Sequence, residues 1–81
     1  METVAYQPPT QAELEADALK FLKGSAPKEF KKMSKEQVRE YCQTKAKEAA
    51  DYARRLIETG MYEGQAWIQA QRIVILERDS D

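Results

Sequence analysis

The sequence predicts an all-α fold, a small three-helix domain with a long central helix. Apolar residues recur at intervals of three and four over three separate segments, as they do in amphipathic helices. Two capping boxes, the polar pairs that begin helices, precede such segments: Thr10 with Glu13, and Ser34 with Gln37. The run Ile73-Val74-Ile75-Leu76 would also suit a buried strand, but the sequence has no second strand-like segment to pair with it. We therefore expect this run to be helical.

The first predicted helix runs from about residue 11 to Lys23, after a flexible N-terminal arm of residues 1–9 that ends in Pro8-Pro9. Residues 10–81 then form a single helical domain, since the chain has only 81 residues. Gly24 is expected to stop the first helix in the left-handed conformation. The apolar face of this helix contains Leu14, Ala18, Phe21 and Leu22.

A connector follows, from Gly24 to Met33, in which Pro27 permits no more than a short helical turn. Phe30 and Met33 are expected to attach this connector to the core. The connector therefore separates the first predicted helix from the second.

The second predicted helix is the long one, from about Lys35 to Thr59, and Gly60 ends it. The short turn at Gly60 would place the third helix antiparallel to the second, from Met61 or Tyr62 to about Glu77. The apolar stripe of the second helix contains Val38, Tyr41, Cys42, Ala46, Ala49, Ala53, Leu56 and Ile57. One face of the third contains Tyr62, Ala66, Trp67, Ala70, Ile73, Val74 and Leu76.

The third predicted helix carries a second apolar stripe. Met61, Ile68 and Ile75 are spaced by seven residues and project roughly opposite the first face. The stripe is either covered by the other two helices or forms a homodimer or partner interface. So short a chain has a marginal core, which favours self-association. Trp67 is interpreted either as a core residue between the second and third helices or as an interface hot spot, with spacing favouring the core.

The second feature that could carry function is local charge. The whole chain has a formal net charge of −1, but residues 20–35 have a balance of +5 and residues 1–19 a balance of −4. A basic cluster can bind nucleic acid, or it can be a solvated surface that keeps the protein in solution. The cluster contains Lys20, Lys23, Lys28, Lys31, Lys32 and Lys35.

A helix-turn-helix with its junction at Gly60 is excluded on chemical grounds. Its recognition helix would begin Met61-Tyr62-Glu63-Gly64-Gln65, which lacks the basic side chains that contact base edges and phosphates.

Catalysis by a single chain lacks the usual groups. The sequence has no histidine and one cysteine, so neither a Ser/His nor a Cys/His pair can form, and no Cys/His zinc site is expected. Cys42 lies on an apolar helix face, where we expect a buried, inert thiol. No glycine-rich phosphate loop occurs in the sequence. We therefore expect no enzyme, no cofactor, no metal and no small-molecule substrate.

The sequence favours a cytoplasmic protein–protein interaction module, an adaptor, regulator or inhibitor that associates with itself. No apolar run approaches the roughly 18 residues of a membrane span, so no membrane partner is expected. The alternative is an accessory nucleic-acid-binding protein that uses the segment Lys20–Lys35. A protein partner or homo-oligomer is the first expectation and nucleic acid the second.

Overall fold

Thr10 begins the first helix, as its capping box predicts, in a computed structural model that describes residues 6–76. The Oγ1 atom of Thr10 accepts a hydrogen bond from the backbone N–H of Glu13 at 3.1 Å, and the Thr10 N–H donates to Oε1 of Glu13 at 3.2 Å. The described residues form no strand, so the helical assignment of the apolar run near the C-terminus is confirmed. In chain order the elements are α1 (Gln11–Ser25), α2 (Pro27–Lys32), α3 (Lys35–Glu58), α4 (Glu63–Ala70) and a π-helical segment (Gln71–Ile75).

The first helix ends because of a proline and not because of a glycine. Gly24 lies within α1, and among the described glycines only Gly60 has a positive φ, so the predicted left-handed stop at Gly24 is wrong. The Pro27 ring disfavours the helical region for the residue before it, and Ala26 has a φ of −137°. Pro27 then occupies the first turn of α2, where its missing N–H is not needed. The described residues thus contain four α-helices, and the expected connector contains one of them.

Helix α3 follows the predicted pattern closely. Ser34 Oγ accepts from the backbone N–H of Gln37 at 3.1 Å, and Gly60, with a φ of 104°, follows the helix. The interior-facing side chains of α3 are all members of its predicted apolar stripe: Cys42, Ala46, Ala49 and Ala53. Three of these four are alanines, so neighbouring helices can approach α3 closely.

The last helix changes its winding halfway. After Ala70 the backbone becomes π-helical, and the N–H of Leu76 donates to the carbonyl of Gln71 at 3.0 Å, five residues back. A π-turn contains one more residue than an α-turn. In a regular α-helix, residue 74 would lie one turn after Ala70 on the core side. The extra residue of the π-turn gives that position to Ile75 instead. The predicted end of this helix, at about Glu77, lies outside the described residues.

The core lies where α1, α3, α4 and the π-helical segment meet, since α3 contacts each of the others. Leu14 and Ile75 are the largest fully buried side chains, at 2% and 1% exposure. The remaining members of the central cluster are small: Ala18, Cys42, Ala46 and Ala49. Within residues 6–76 no helix is long and apolar enough to cross a membrane.

Candidate functional site

A groove opens between the end of α1, helix α2 and the start of α3, with a volume of about 420 Å³. Its floor consists of half-buried apolar side chains, and its edge carries exposed lysines. We call it the lysine-rimmed groove. The floor is lined by Leu19, Phe30, Met33 and Val38, and the rim by Lys23, Lys31 and Lys35.

The local sequence explains why the floor remains partly open. Helix α2 has only six residues and no buried side chain. Its first turn is closed by the N–H of Phe30, which donates to the Ala26 carbonyl at 2.9 Å, and the helix ends where Met33 adopts an extended conformation. Phe30 and Met33, which the sequence assigned to attach the connector to the core, are half-buried and line the groove instead.

A cation–π contact joins the rim to the floor. The ammonium nitrogen of Lys23 lies 5.5 Å from the centroid of the Phe30 ring. At this distance an ammonium is attracted to the ring face, by about 0.5–1 kcal/mol at an exposed site. The contact holds Phe30 beside α1 and occupies one side of its ring.

The structure divides the six predicted lysines among different surfaces. All six are exposed, but among them only Lys23, Lys31 and Lys35 line the lysine-rimmed groove. Lys20 lines another depression, of about 380 Å³, between α1 and the π-helical segment. The remaining two, Lys28 and Lys32, are exposed on α2.

Two floor residues are not among the predicted site residues. Leu19 is absent from the apolar face predicted for the first helix, and Val38 belongs to the stripe predicted for the second. The signal that could have identified them is that each precedes or follows a rim lysine by three or four residues, Leu19 before Lys23 and Val38 after Lys35.

The predicted interface stripe is not continuous. Ile68 is 56% exposed and Met61 is half-buried, but Ile75 is 1% exposed within the chain's own core. The expectation that Ile75 belongs to a surface stripe is therefore wrong, because the π-helical turn rotates it toward α1 and α3. Trp67 is half-buried and packs against the central cluster, as the core interpretation requires.

Tyr62 does not lie on the buried face that was predicted for it on the third helix. It precedes α4 with an extended backbone, so the helical periodicity does not apply to it, and it is 69% exposed.

The N-terminal arm comes close to α4 at Gly64. A methyl group added to Gly64 would lie 2.9 Å from Cε2 of Tyr62 and 3.7 Å from Cδ1 of Tyr6. Burial and, to a lesser degree, the negative charge of Glu63 raise the pKa of Tyr6 above its ordinary value. Part of the predicted N-terminal arm thus packs on α4, and residues 1–5 lie outside the described part.

The chemically reactive side chains do not converge. Within residues 6–76 no group of three or more histidine, cysteine or acidic residues is placed to hold a metal ion. Cys42 is 5% exposed, which confirms its predicted burial, and this burial, together with the charge of Glu15, raises the pKa of the thiol. A protonated, inaccessible thiol is a poor nucleophile. No nucleophile pair or carboxylate pair lines the lysine-rimmed groove.

No protein-family model, curated protein or solved structure matches the chain. A functional assignment therefore rests on the geometry of the described residues.

Proposed function

We propose that this chain is a small, non-catalytic protein–protein interaction module, an adaptor, regulator or inhibitor that acts by occupying the surface of another protein. The lysine-rimmed groove carries the proposal. Four half-buried apolar side chains in one place form a surface that gains from being covered, and the three lysines around it supply polar contacts at its edge.

The openness of the groove favours a macromolecular ligand. A small-molecule site is concave and buries most of its ligand, whereas the walls of this groove include three exposed lysines and helix α2, which has no buried residue. An apolar centre with a polar rim is instead the usual organisation of a protein–protein interface.

Nucleic acid is the second candidate, because all six lysines of the segment Lys20–Lys35 are exposed. The distribution of these lysines ranks it second, because three of them line the groove and Lys20 lines a separate depression.

Self-association remains part of the proposal, although the apolar surface for it is smaller than predicted because Ile75 is buried. Ile68 and Tyr62 are the large apolar side chains that α4 and its N-cap expose, and the core has few large residues. We also infer that α3 and α4 form the antiparallel hairpin that the short turn at Gly60 favours. A second copy would cover the side of this hairpin that carries Ile68.

Charge reversal in the groove tests the proposal directly. Lys31→Glu combined with Lys35→Glu changes two exposed rim residues, and Lys47→Glu combined with Arg54→Glu changes two exposed cations elsewhere on α3. Each variant is immobilised and exposed to nuclease-treated extract from the cells that express the protein. We expect a protein that is retained by the wild type and by the control variant, and is lost with the groove variant.

Two outcomes would contradict this. Retention that is equal on both variants would show that the groove is not the contact surface. Retention of nucleic acid in untreated extract, abolished by Lys28→Glu, Lys31→Glu and Lys32→Glu together, would favour the second candidate.

Light scattering at low and high salt tests self-association separately. An interface around Ile68 should respond little to salt and should dissociate in Ile68→Asp, which leaves a helical monomer. A wild-type protein that is monomeric at all concentrations would exclude self-association and leave the interaction module in place.

A further inference from the structure

We infer that the lysine-rimmed groove binds an acidic amphipathic helix of a partner protein. This inference rests on the proposed function and specifies the chemistry of the partner. It follows from three features of the groove: the sign of its charges, the absence of a free strand edge and the composition of its floor.

The charges around the floor select the sign of the ligand. The residues that line the groove include three lysines and no acidic residue. An acidic side chain on the ligand would gain from each lysine, and a basic one would be repelled. The apolar floor must therefore be filled by a segment whose polar positions are aspartate or glutamate.

The helical surroundings select the conformation of the ligand. A peptide in the β conformation gains its affinity by adding to a free sheet edge, and residues 6–76 contain no strand. A helix satisfies its own backbone hydrogen bonds and presents apolar side chains at every third and fourth position. A volume of about 420 Å³ accommodates a few such side chains. A helix laid in the groove thus needs no backbone partner from this chain.

A second copy of this chain fits the groove less well. On α1 its exposed carboxylates Glu13 and Asp17 have only the alanines Ala12 and Ala16 as exposed apolar neighbours. These methyl groups are too small to cover the floor. On α3 the exposed carboxylates Glu48 and Asp51 lie in a depression that Lys45 and Arg55 also line, so the charge there is mixed. The exposed apolar residues of α4, in contrast, have little acidic charge beside them, with Glu63 as the exposed carboxylate of that helix.

A designed peptide provides the test, with the full-length chain as the receptor. The peptide has about 15 residues, enough for marginal helicity in water, with leucines on one face and glutamates elsewhere. One control peptide has the same composition in permuted order, so that its leucines surround the helix. A second control has lysine in place of each glutamate.

The methionines provide a site-specific signal. Met33 lines the groove, and Met61 lies beyond α3, beside Tyr62. With methyl-labelled methionine, we expect the acidic peptide to shift the Met33 signal and leave the Met61 signal in place. Binding should weaken about tenfold or more in the variant with Lys31→Glu and Lys35→Glu, as several weak ion pairs would require, and should not change with Lys47→Glu and Arg54→Glu. Circular dichroism of each variant verifies that its helices are intact.

Several results would overturn the inference. Equal binding of the permuted or the lysine peptide would show that amphipathicity or charge is not recognised. A concentration-dependent Met33 shift without peptide would identify a second copy as the occupant. A Met33 shift with duplex DNA or with phosphatidylglycerol vesicles, and none with the acidic peptide, would identify a phosphate ligand.

The peptide experiment can reject the acidic helix as the ligand without rejecting the proposed function. If the extract contains a protein that depends on Lys31 and Lys35, but the acidic peptide does not bind, the interaction module stands and the partner has another chemistry. If neither occurs, both proposals are wrong.

Discussion

The central cluster, where α1, α3 and the π-helical segment meet, and the lysine-rimmed groove differ in the size of their side chains. At the first, Ala18, Ala46 and Ala49 are completely buried, and the helices pack through methyl groups. At the second, larger side chains such as Phe30 and Met33 are only half-buried, and α2 contributes nothing to the core. Small residues let the helices approach closely at the first, and larger apolar side chains stay partly exposed at the second.

This difference has a physical consequence for stability. A core of alanines buries little area per residue, so its free energy depends on the few large side chains within it, Leu14 and Ile75. The groove residues contribute less, because a half-exposed side chain gains only part of its burial energy. Substitutions in the central cluster should therefore lower the free energy of unfolding more than substitutions in the groove do.

The largest effect is expected at Ile75. Ile75→Ala removes a side chain that is 1% exposed and should lower the free energy of unfolding by about 2–5 kcal/mol, since the packed alanines around it cannot fill the space. Phe30→Ala, in the groove, should cost about 1–2 kcal/mol. Urea denaturation followed by circular dichroism measures both. Equal losses would remove the distinction between the two regions.

Ser34 caps the start of α3, the helix that contributes residues both to the central cluster and to the groove. Ser34→Ala removes the hydroxyl that accepts from the Gln37 N–H at 3.1 Å and should cost about 0.5–2 kcal/mol. Thr10→Ala removes the equivalent cap of α1 and serves as the matched variant. If Ser34→Ala also weakens peptide binding and Thr10→Ala does not, the start of α3 positions the groove. No loss of stability in either variant would contradict the capping geometry.

Two glycines should respond in opposite directions. Gly24→Ala places a methyl group in open space within α1 and should stabilise the protein by up to about 1 kcal/mol. Gly60→Ala forces a side chain into a backbone with a φ of 104° and should destabilise it by about 1 kcal/mol or more. Thermal unfolding of the two variants gives the signs. A destabilised Gly24→Ala would show that its surroundings are more crowded than the structure describes.

The smallest effect concerns the pH dependence of Cys42. Burial raises the pKa of this thiol, so the unfolded chain ionises at a lower pH than the folded one. The stability that the neutral, buried thiol contributes to the folded chain is fully present below the ordinary cysteine pKa of about 8.5. It is lost as the pH rises through the raised pKa that the thiol has in the folded chain. The fall in urea midpoint between neutral and alkaline pH should be larger for the wild type than for Cys42→Ala. Identical falls would place the thiol in contact with water.

The sequence predicted those parts of the fold that depend on neighbours in the chain. Both capping boxes form, because each joins residues three positions apart. The buried face of α3 is the predicted one, because a regular helix converts spacing directly into direction. The predicted stop at Gly24 is wrong, because the clash between the Pro27 ring and the residue before it ends the helix two residues later, at Ala26.

The candidate site shows the limit of such reasoning. Lys23, Lys31 and Lys35 belong to the predicted cluster of six lysines, and nothing in the sequence distinguishes them from Lys28 and Lys32. Their shared position depends on how α1, α2 and α3 pack, and that packing also supplies Leu19 and Val38 to one floor. Residues that are this far apart in the chain meet only after folding.

The starts of α1 and α3, the apolar face of the long helix and the concentration of positive charge are properties of a few consecutive residues, so they can be predicted before the chain folds. The burial of Ile75 and the position of three of six lysines around one groove follow from packing instead. The reason is that the π-helical turn alters the rotation on which periodicity depends, and that a groove exists only between helices that have packed.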